Sequence, residues 1–209
     1  MAGLNQLNRI GIFGGTFDPP HLGHLILASE AAFQLELGTV FWVLTKNPPH
    51  KLRRQITPVE IRIELLKAAI SQDRRFMLSR VEIDRPPPHF AVDTLHMLQA
   101  SQPNANLVYL MGGDSLHELP TWHDPNGIIK ICAFIGVMRR SGGAADLEAL
   151  EAKLPGIRNK IRWVETPIID ISSSLVRQKV CQGTPYCYYV PPAVAELVEK
   201  YHLYLDSNE

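Results

Sequence analysis

Two histidines three residues apart, His21 and His24, follow the run Gly14-Gly15-Thr16-Phe17-Asp18-Pro19-Pro20. An apolar, strand-like run (Arg9–Phe13) precedes it, and an amphipathic run from Leu25 to Leu35 follows. The order reads as strand, turn, helix. A turn lined by main-chain N–H groups in front of a helix N-terminus is a natural phosphate site. Imidazoles in that first turn can donate to phosphate oxygens and to charge developing during phosphoryl transfer. Gly14 and Gly15 are expected to let the backbone approach a ligand closely and to adopt conformations closed to other residues. Two blander readings stand beside this one: a tight turn with solvated histidines, or a two-histidine metal site. Asp18 is the one carboxylate nearby for a metal, and the spacing fits no familiar ligand pattern.

Three further segments carry chemistry. Asp170-Ile171-Ser172-Ser173-Ser174-Leu175-Val176-Arg177 offers hydroxyl caps at a helix start, with Arg177 one turn in. It reads as a second anion site suited to a polyphosphate, or as an ordinary serine cap with a surface arginine. Pro49-His50-Lys51, with Arg53 and Arg54 after it, forms a basic loop in which Lys51 could close over phosphate as a point charge. Met111-Gly112-Gly113-Asp114 ends an apolar run, where a carboxylate suits a ribose hydroxyl or caps the next helix. Just beyond, Trp122 in Pro120-Thr121-Trp122-His123 could stack on a planar heterocycle or cover the core.

The elements that must position these groups alternate. Strands are predicted at Ile10–Phe13, Val40–Leu44, Phe76–Ile83, Leu107–Met111, Ala133–Met138 and Ile161–Val164. Helices are predicted at His21–Leu35, Pro58–Ile70, Ala91–Ala100, Ala144–Leu154, Ser173–Gln182 and Ala193–Tyr201. That alternation implies βαβ units around a parallel sheet. Thr57-Pro58-Val59-Glu60 reads as a capping box with Pro at the first helical position, Asp124-Pro125 as a second Asp–Pro start, and Gly183 as a C-terminal cap. The Pro-rich breaks at 47–49 and 86–88 follow strand runs and read as site-forming loops.

A chain of 209 residues suits one α/β domain. Lys plus Arg and Asp plus Glu both number 21, so no long-range field favours nucleic acid or an anionic membrane. The first eight residues lack a basic head and apolar core, and no stretch is long enough for a membrane span. Cys132, Cys181 and Cys187 show no CxxC spacing and read as reduced cytoplasmic thiols.

GGTFDPPHLGH, the PPHK loop, the GGD run, PTWH and ISSSLVR occur in the order seen in bacterial nicotinate-nucleotide adenylyltransferases, which the chain resembles from Arg9 to about Leu205. The HxGH element alone is shared across the nucleotidyltransferase superfamily; the ordered set is specific. The resemblance implies a Rossmann-like open parallel sheet with helices on both faces. One domain would span 1–209, with a helical part at about 170–205 completing the ATP site. It implies transfer of AMP from ATP to nicotinate mononucleotide, giving deamido-NAD and pyrophosphate. His21, His24, Arg177 and Lys51 would serve the reacting centre. Gly14, Gly15, Thr16, Phe17, His24, Gly112, Asp114, Ser172, Ser173, Ser174 and Arg177 would line the ATP site. Thr16, Lys51, Phe90, Ala91, Trp122 and His123 would hold the mononucleotide. Mg²⁺ would arrive with ATP, without dedicated protein ligands, and assembly is open, a homo-oligomer included. Related adenylyl- or cytidylyltransferases and a non-catalytic nucleotide-binding regulator are the competing readings. The chain departs from the family pattern at His89-Phe90-Ala91, where Ser-Tyr-Thr is usual, and at Ser174 and Val176, where Thr and Ile are.

Overall fold

The computed structural model describes residues 8–46, 56–138, 146–167 and 169–206. Six strands form one all-parallel sheet: β1 (Arg9–Gly15), β2 (Thr39–Leu44), β3 (Phe76–Ser79), β4 (Asn106–Gly112), β5 (Phe134–Met138) and β6 (Ile161–Val164). Their order is β3-β2-β1-β4-β5-β6. Parallel neighbours require crossovers, and the helices that supply them cover both faces. This explains why β2, Thr-Val-Phe-Trp-Val-Leu, is apolar almost throughout rather than alternating. The architecture is Rossmann-like, as the sequence implies.

The helices are α1 (Leu22–Gln34), α2 (Val59–Ile70), α3 (Ala91–Ser101), α4 (Gly113–Glu118), α5 (Pro125–Ile131), α6 (Leu147–Lys153), α7 (Ile157–Lys160), α8 (Ser173–Cys181) and α9 (Pro192–Lys200). One core cluster joins the sheet to α1, α2, α8 and α9 through Ala28, Leu66, Val176 and Val194. A second, on the other face, joins it to α3, α5, α6 and α7 through Leu95, Ile128, Leu150 and Ile157.

All six predicted strands and all six predicted helices are present, with adjusted ends. The third strand stops at Ser79, where the chain turns: Arg80 O accepts from the Ile83 and Asp84 N–H groups at 2.8 and 3.0 Å. The predicted capping box at Thr57 does not form: Pro58 itself is the N-cap of α2, and no side chain caps it. Thr57 is engaged elsewhere, its N–H donating to Asp18 Oδ2 at 3.5 Å. The Asp124 cap is present, its side chain accepting from Gly127 N–H. Gly183 sits at φ +63 and closes α8, with Gly183 N–H donating to Val180 O and Thr184 N–H to Lys179 O. That pair of bonds is a Schellman motif.

β1 sends its chain toward β2, whereas β4 sends its chain toward β5, so connections diverge between two adjacent strands. Open α/β sheets bind ligands in the crevice at such a switch point, outside the carboxyl ends of the strands. Gly15 ends β1 and Gly112 ends β4, which puts both of the predicted Gly-containing segments there.

Candidate active site

At the end of β1 the backbone does something the glycines do not explain. Neither Gly14 nor Gly15 has a positive φ; the left-handed residue is Phe17, at φ 48. Gly15 is required for a different reason: a Cβ there would meet the Phe17 ring at 2.8 Å. That ring is buried among Phe13, Trp42 and His24, at centroid distances of 5.7, 5.1 and 5.1 Å. Phe17 is therefore a core anchor for the turn rather than a ligand contact by its side chain.

His21 is the N-cap of α1 and is buried. His24 Nδ1 accepts the His21 main-chain N–H at 3.2 Å, which leaves the proton of the neutral ring on Nε2. The two imidazoles stack at 3.6 Å and 26°. Gly23 makes this compact: a Cβ there would meet His21 Nδ1 at 3.0 Å and Ile171 O at 3.5 Å. The start of α1 and the entry to α8 consequently abut, which sets two helix N-termini, each favourable to anions, side by side.

The serine run at α8 is built into this junction. Ser172 caps the helix by accepting from Leu175 N–H at 3.1 Å, Ser173 Oγ donates to Pro19 O at 2.8 Å, and Arg177 Nη2 donates to Ser174 Oγ at 2.9 Å. Arg177 is 8% exposed, and its Nη1 donates to Asp18 O at 2.9 Å. The sequence reading made Arg177 a phosphate-facing cation; it is also a brace between α8 and the turn. Asp18 is the hub of that brace and not a metal ligand candidate in company. Its Oδ1 accepts from the Tyr204 phenol at 2.8 Å and its Oδ2 lies 3.5 Å from Thr57 N–H. Burial and the neighbouring Asp18 charge push the Tyr204 phenol well above its usual pKa, so it stays a donor.

Across the switch point, Gly112 is the N-cap of α4 and exposed Asp114 lies in that helix's first turn. Asp114 is thus beyond the cap position, with its carboxylate favourably near the helix N-terminus. Trp122 is half-buried, edge-on to Tyr109 at 6.0 Å and 82°. Its neighbour His123 stacks on Phe90 at 4.0 Å and 20°. Phe90 is the N-cap of α3, with no side chain capping the helix, so Ala91 opens α3 behind an aromatic pair. Four of the six residues predicted for the mononucleotide, Phe90, Ala91, Trp122 and His123, are therefore brought together, while Thr16 lies in the turn after β1. Lys51 lies outside the described residues.

Behind α3 runs a buried polar chain that sequence reasoning missed. Thr94 Oγ1 donates to Glu82 Oε1 at 2.8 Å, and Arg85 Nη2 donates to Phe90 O and Thr94 Oγ1, each at 3.1 Å. Burial raises the Glu82 pKa, opposed by hydrogen bonds from Thr94 and Thr45 and by Arg85. Burial, then the charges of Arg85 and Lys46, lower that of His89. Arg62 was missed as well. It is 2% exposed and donates to Thr57 O, Thr16 O, Thr45 O and Lys46 O at 2.8 to 3.0 Å. Its signal was there: it shares a helix face with the buried Leu65, Leu66 and Ala69.

Residues 12–179 match the family model for cytidylyltransferase-like proteins. A protein of Thermomicrobium roseum named as a probable nicotinate-nucleotide adenylyltransferase is 42% identical over 198 residues, covering 95% of this chain and 92% of the relative. A Shouchella clausii protein of the same name is 36% identical over 203 residues, covering 97% and 100%. Among solved structures, Plasmodium falciparum nicotinic acid mononucleotide adenylyltransferase complexed with NaAD superposes with a TM-score of 0.78 at 19% identity, covering 97% of this chain and 100% of that one. The same enzyme complexed with APC gives a TM-score of 0.75 at 18% identity over the same shares. At that identity the structural likeness bears on the fold.

Proposed function

The chain belongs to the nicotinate-nucleotide adenylyltransferase family, and from that premise we propose that it transfers AMP from ATP to nicotinate mononucleotide, releasing pyrophosphate and forming deamido-NAD. The observation that carries the reading is the abutment of the α1 and α8 N-termini at Gly23 and Ile171, beside the stacked His21 and His24. Adjacent helix N-termini and imidazole donors suit a reaction whose demand is to hold and neutralise phosphates.

The mononucleotide's 5′-phosphate is the nucleophile. Its second pKa is about 6, so it is largely dianionic at neutral pH and needs no general base. One of its oxygens bonds to the α-phosphorus of ATP while the bond from that phosphorus to the bridging oxygen breaks, and the electron pair leaves with pyrophosphate. What the protein supplies is proximity, in-line orientation and charge stabilisation. We assign the last of these to the Nε2–H of His24 and to the cationic Arg177, a reading supported by the His21 stack that fixes the His24 ring. Gly14, Gly15, Thr16, Gly112, Ser172, Ser173 and Ser174 border the polyphosphate and ribose side, and Asp114 the ribose. On the other side, Trp122 stacks on the pyridine ring and the Ala91 main-chain N–H, at the uncapped start of α3, receives its carboxylate. That contact needs no threonine hydroxyl, so the Ala91 replacement is compatible with it.

Mg²⁺ would arrive with ATP and would supply charge neutralisation of the polyphosphate. The three cysteines are unpaired, which suits a reducing cytoplasmic setting. No helix among the described residues is long and apolar enough to cross a membrane.

A substrate panel tests the proposal. Pyrophosphate release is expected with ATP plus nicotinate mononucleotide. Faster release with phosphopantetheine, or with CTP in place of ATP, would move the chain to a neighbouring branch. Nucleotide binding without release from any pair would make it a regulator.

A further inference from the structure

We propose that Arg62 is a positioning residue for the phosphate site: it holds the Thr16–Phe17 and Thr45–Lys46 peptides by their carbonyls so that the N–H groups of Phe17 and Lys46 face the bound anion. The inference rests on the adenylyl-transfer reading above. Arg62 lies one turn into α2, wholly inside the protein, and all four of its hydrogen bonds go to main-chain carbonyls. Those carbonyls come from three separate places: the turn after β1, the end of β2, and the entry to α2. Two of the three border the crevice at the carboxyl edge of the sheet.

A trans peptide is planar, with its C=O and N–H pointing in opposite directions. Fixing Thr16 O inward on the guanidinium turns Phe17 N–H away from it, and fixing Thr45 O does the same for Lys46 N–H. The rigid five-donor fork of arginine is what allows one side chain to set several peptides at once; a lysine ammonium has three donors and no fixed plane. The second observation is at Phe17, whose φ of 48 is a left-handed conformation for a bulky residue. Such a conformation persists only where the surroundings over-determine it, and it clusters at ligand clamps. Arg62 on the Thr16 carbonyl and the packing of the Phe17 ring are two of the restraints that hold it.

The test has three parts. In wild-type protein labelled with ¹⁵N-phenylalanine and ¹⁵N-lysine, the Phe17 and Lys46 amide resonances shift on titration with inorganic pyrophosphate. In Arg62→Lys, kcat/KM for ATP falls about 100-fold, the cost of a misplacement near 1 Å, and the pyrophosphate-induced shifts shrink. Leu154→Ala, a cavity variant in the far core cluster, loses comparable thermal stability but keeps kcat within threefold. Unmoved Phe17 and Lys46 amides at saturating pyrophosphate would overturn the proposal. So would an Arg62→Lys enzyme within threefold of wild type, or a Leu154→Ala enzyme as impaired as Arg62→Lys. Should Arg62→Lys fail to fold, the wild-type titration decides alone. Shifting amides in a protein that transfers no adenylyl group would sink the functional reading and leave the clamp standing; turnover without the shifts would do the reverse.

Discussion

Tyr204→Phe isolates one atom of the junction on which the site is built. The ring volume is kept, so no cavity opens; only the phenol O–H is lost. In the wild type that group donates to Asp18 Oδ1 at 2.8 Å. Asp18 is 2% exposed, so water cannot replace the lost donor and solvent screening does not discount it. Hydrogen bonds to charged groups contribute about 1.5–3 kcal/mol, and the contact to Thr57 N–H, at 3.5 Å, is too long to make up the loss. A loss of about 2 kcal/mol is expected, which for a chain of this size lowers Tm by about 4–8 °C. Thermal and urea unfolding followed by circular dichroism read it directly. At 25 °C kcat should stay within threefold, because Ser173 on Pro19 O, Arg177 on Asp18 O and Arg62 on Thr16 O still hold the turn. A Tm change under 1 °C would refute the reasoning that Asp18 depends on this donor. So would a large loss of kcat with no loss of stability.

Other perturbations separate chemistry from scaffold. His24→Ala should lower kcat by about 100- to 1,000-fold, the scale of removing one donor to developing charge, in a protein that still folds; steady-state pyrophosphate release checks it, and near-normal turnover would take His24 away from the reacting centre. Arg177→Ala should raise KM for ATP and also lower Tm, since the same guanidinium holds Asp18 O and Ser174 Oγ; an unchanged Tm would contradict its bracing role. Trp122→Ala should raise KM for the mononucleotide more than for ATP, and equal effects on both would argue against ring stacking. Glu82→Gln tests a pH dependence. Burial raises the Glu82 pKa in the folded state, so the folded protein holds that proton where the unfolded chain has released it, and stability falls as pH rises through and above the unfolded value. The glutamine variant, which retains an oxygen for Thr94, should lose that slope in denaturant melts run upward in pH from the free carboxyl value of 4.5, and an unchanged slope would clear Glu82 of responsibility.

What could be read from the sequence was local. The six strands announced themselves as apolar runs, and the longer helices by their period and their caps, Gly183 among them. The short helices were largely hidden, although Asp124 marked where α5 starts. α4 begins on Gly113, a poor helix former, and α5 and α7 have only seven and four residues in which to show a period. The site divides the same way. His21, His24 and the Ser172 cap lie in contiguous motifs and were legible. The hub was not, because Arg62 reaches Thr16 across 46 residues, Arg177 reaches Asp18 across 159 and Tyr204 reaches Asp18 across 186. No spacing rule encodes such partners. Arg177 looked like a surface cation because its burial depends on the turn after β1, far away in the chain. The glycines misled for a related reason: Gly15 is there to clear space for a ring two residues on, while Phe17 carries the unusual backbone.

The claim that this protein joins AMP to nicotinate mononucleotide is tested most directly by following the α-phosphate. With ATP labelled there and excess nicotinate mononucleotide, the label should appear in deamido-NAD, matched one for one by unlabelled pyrophosphate. Label recovered as free AMP, or left in ATP while the mononucleotide goes unconsumed, would contradict the account.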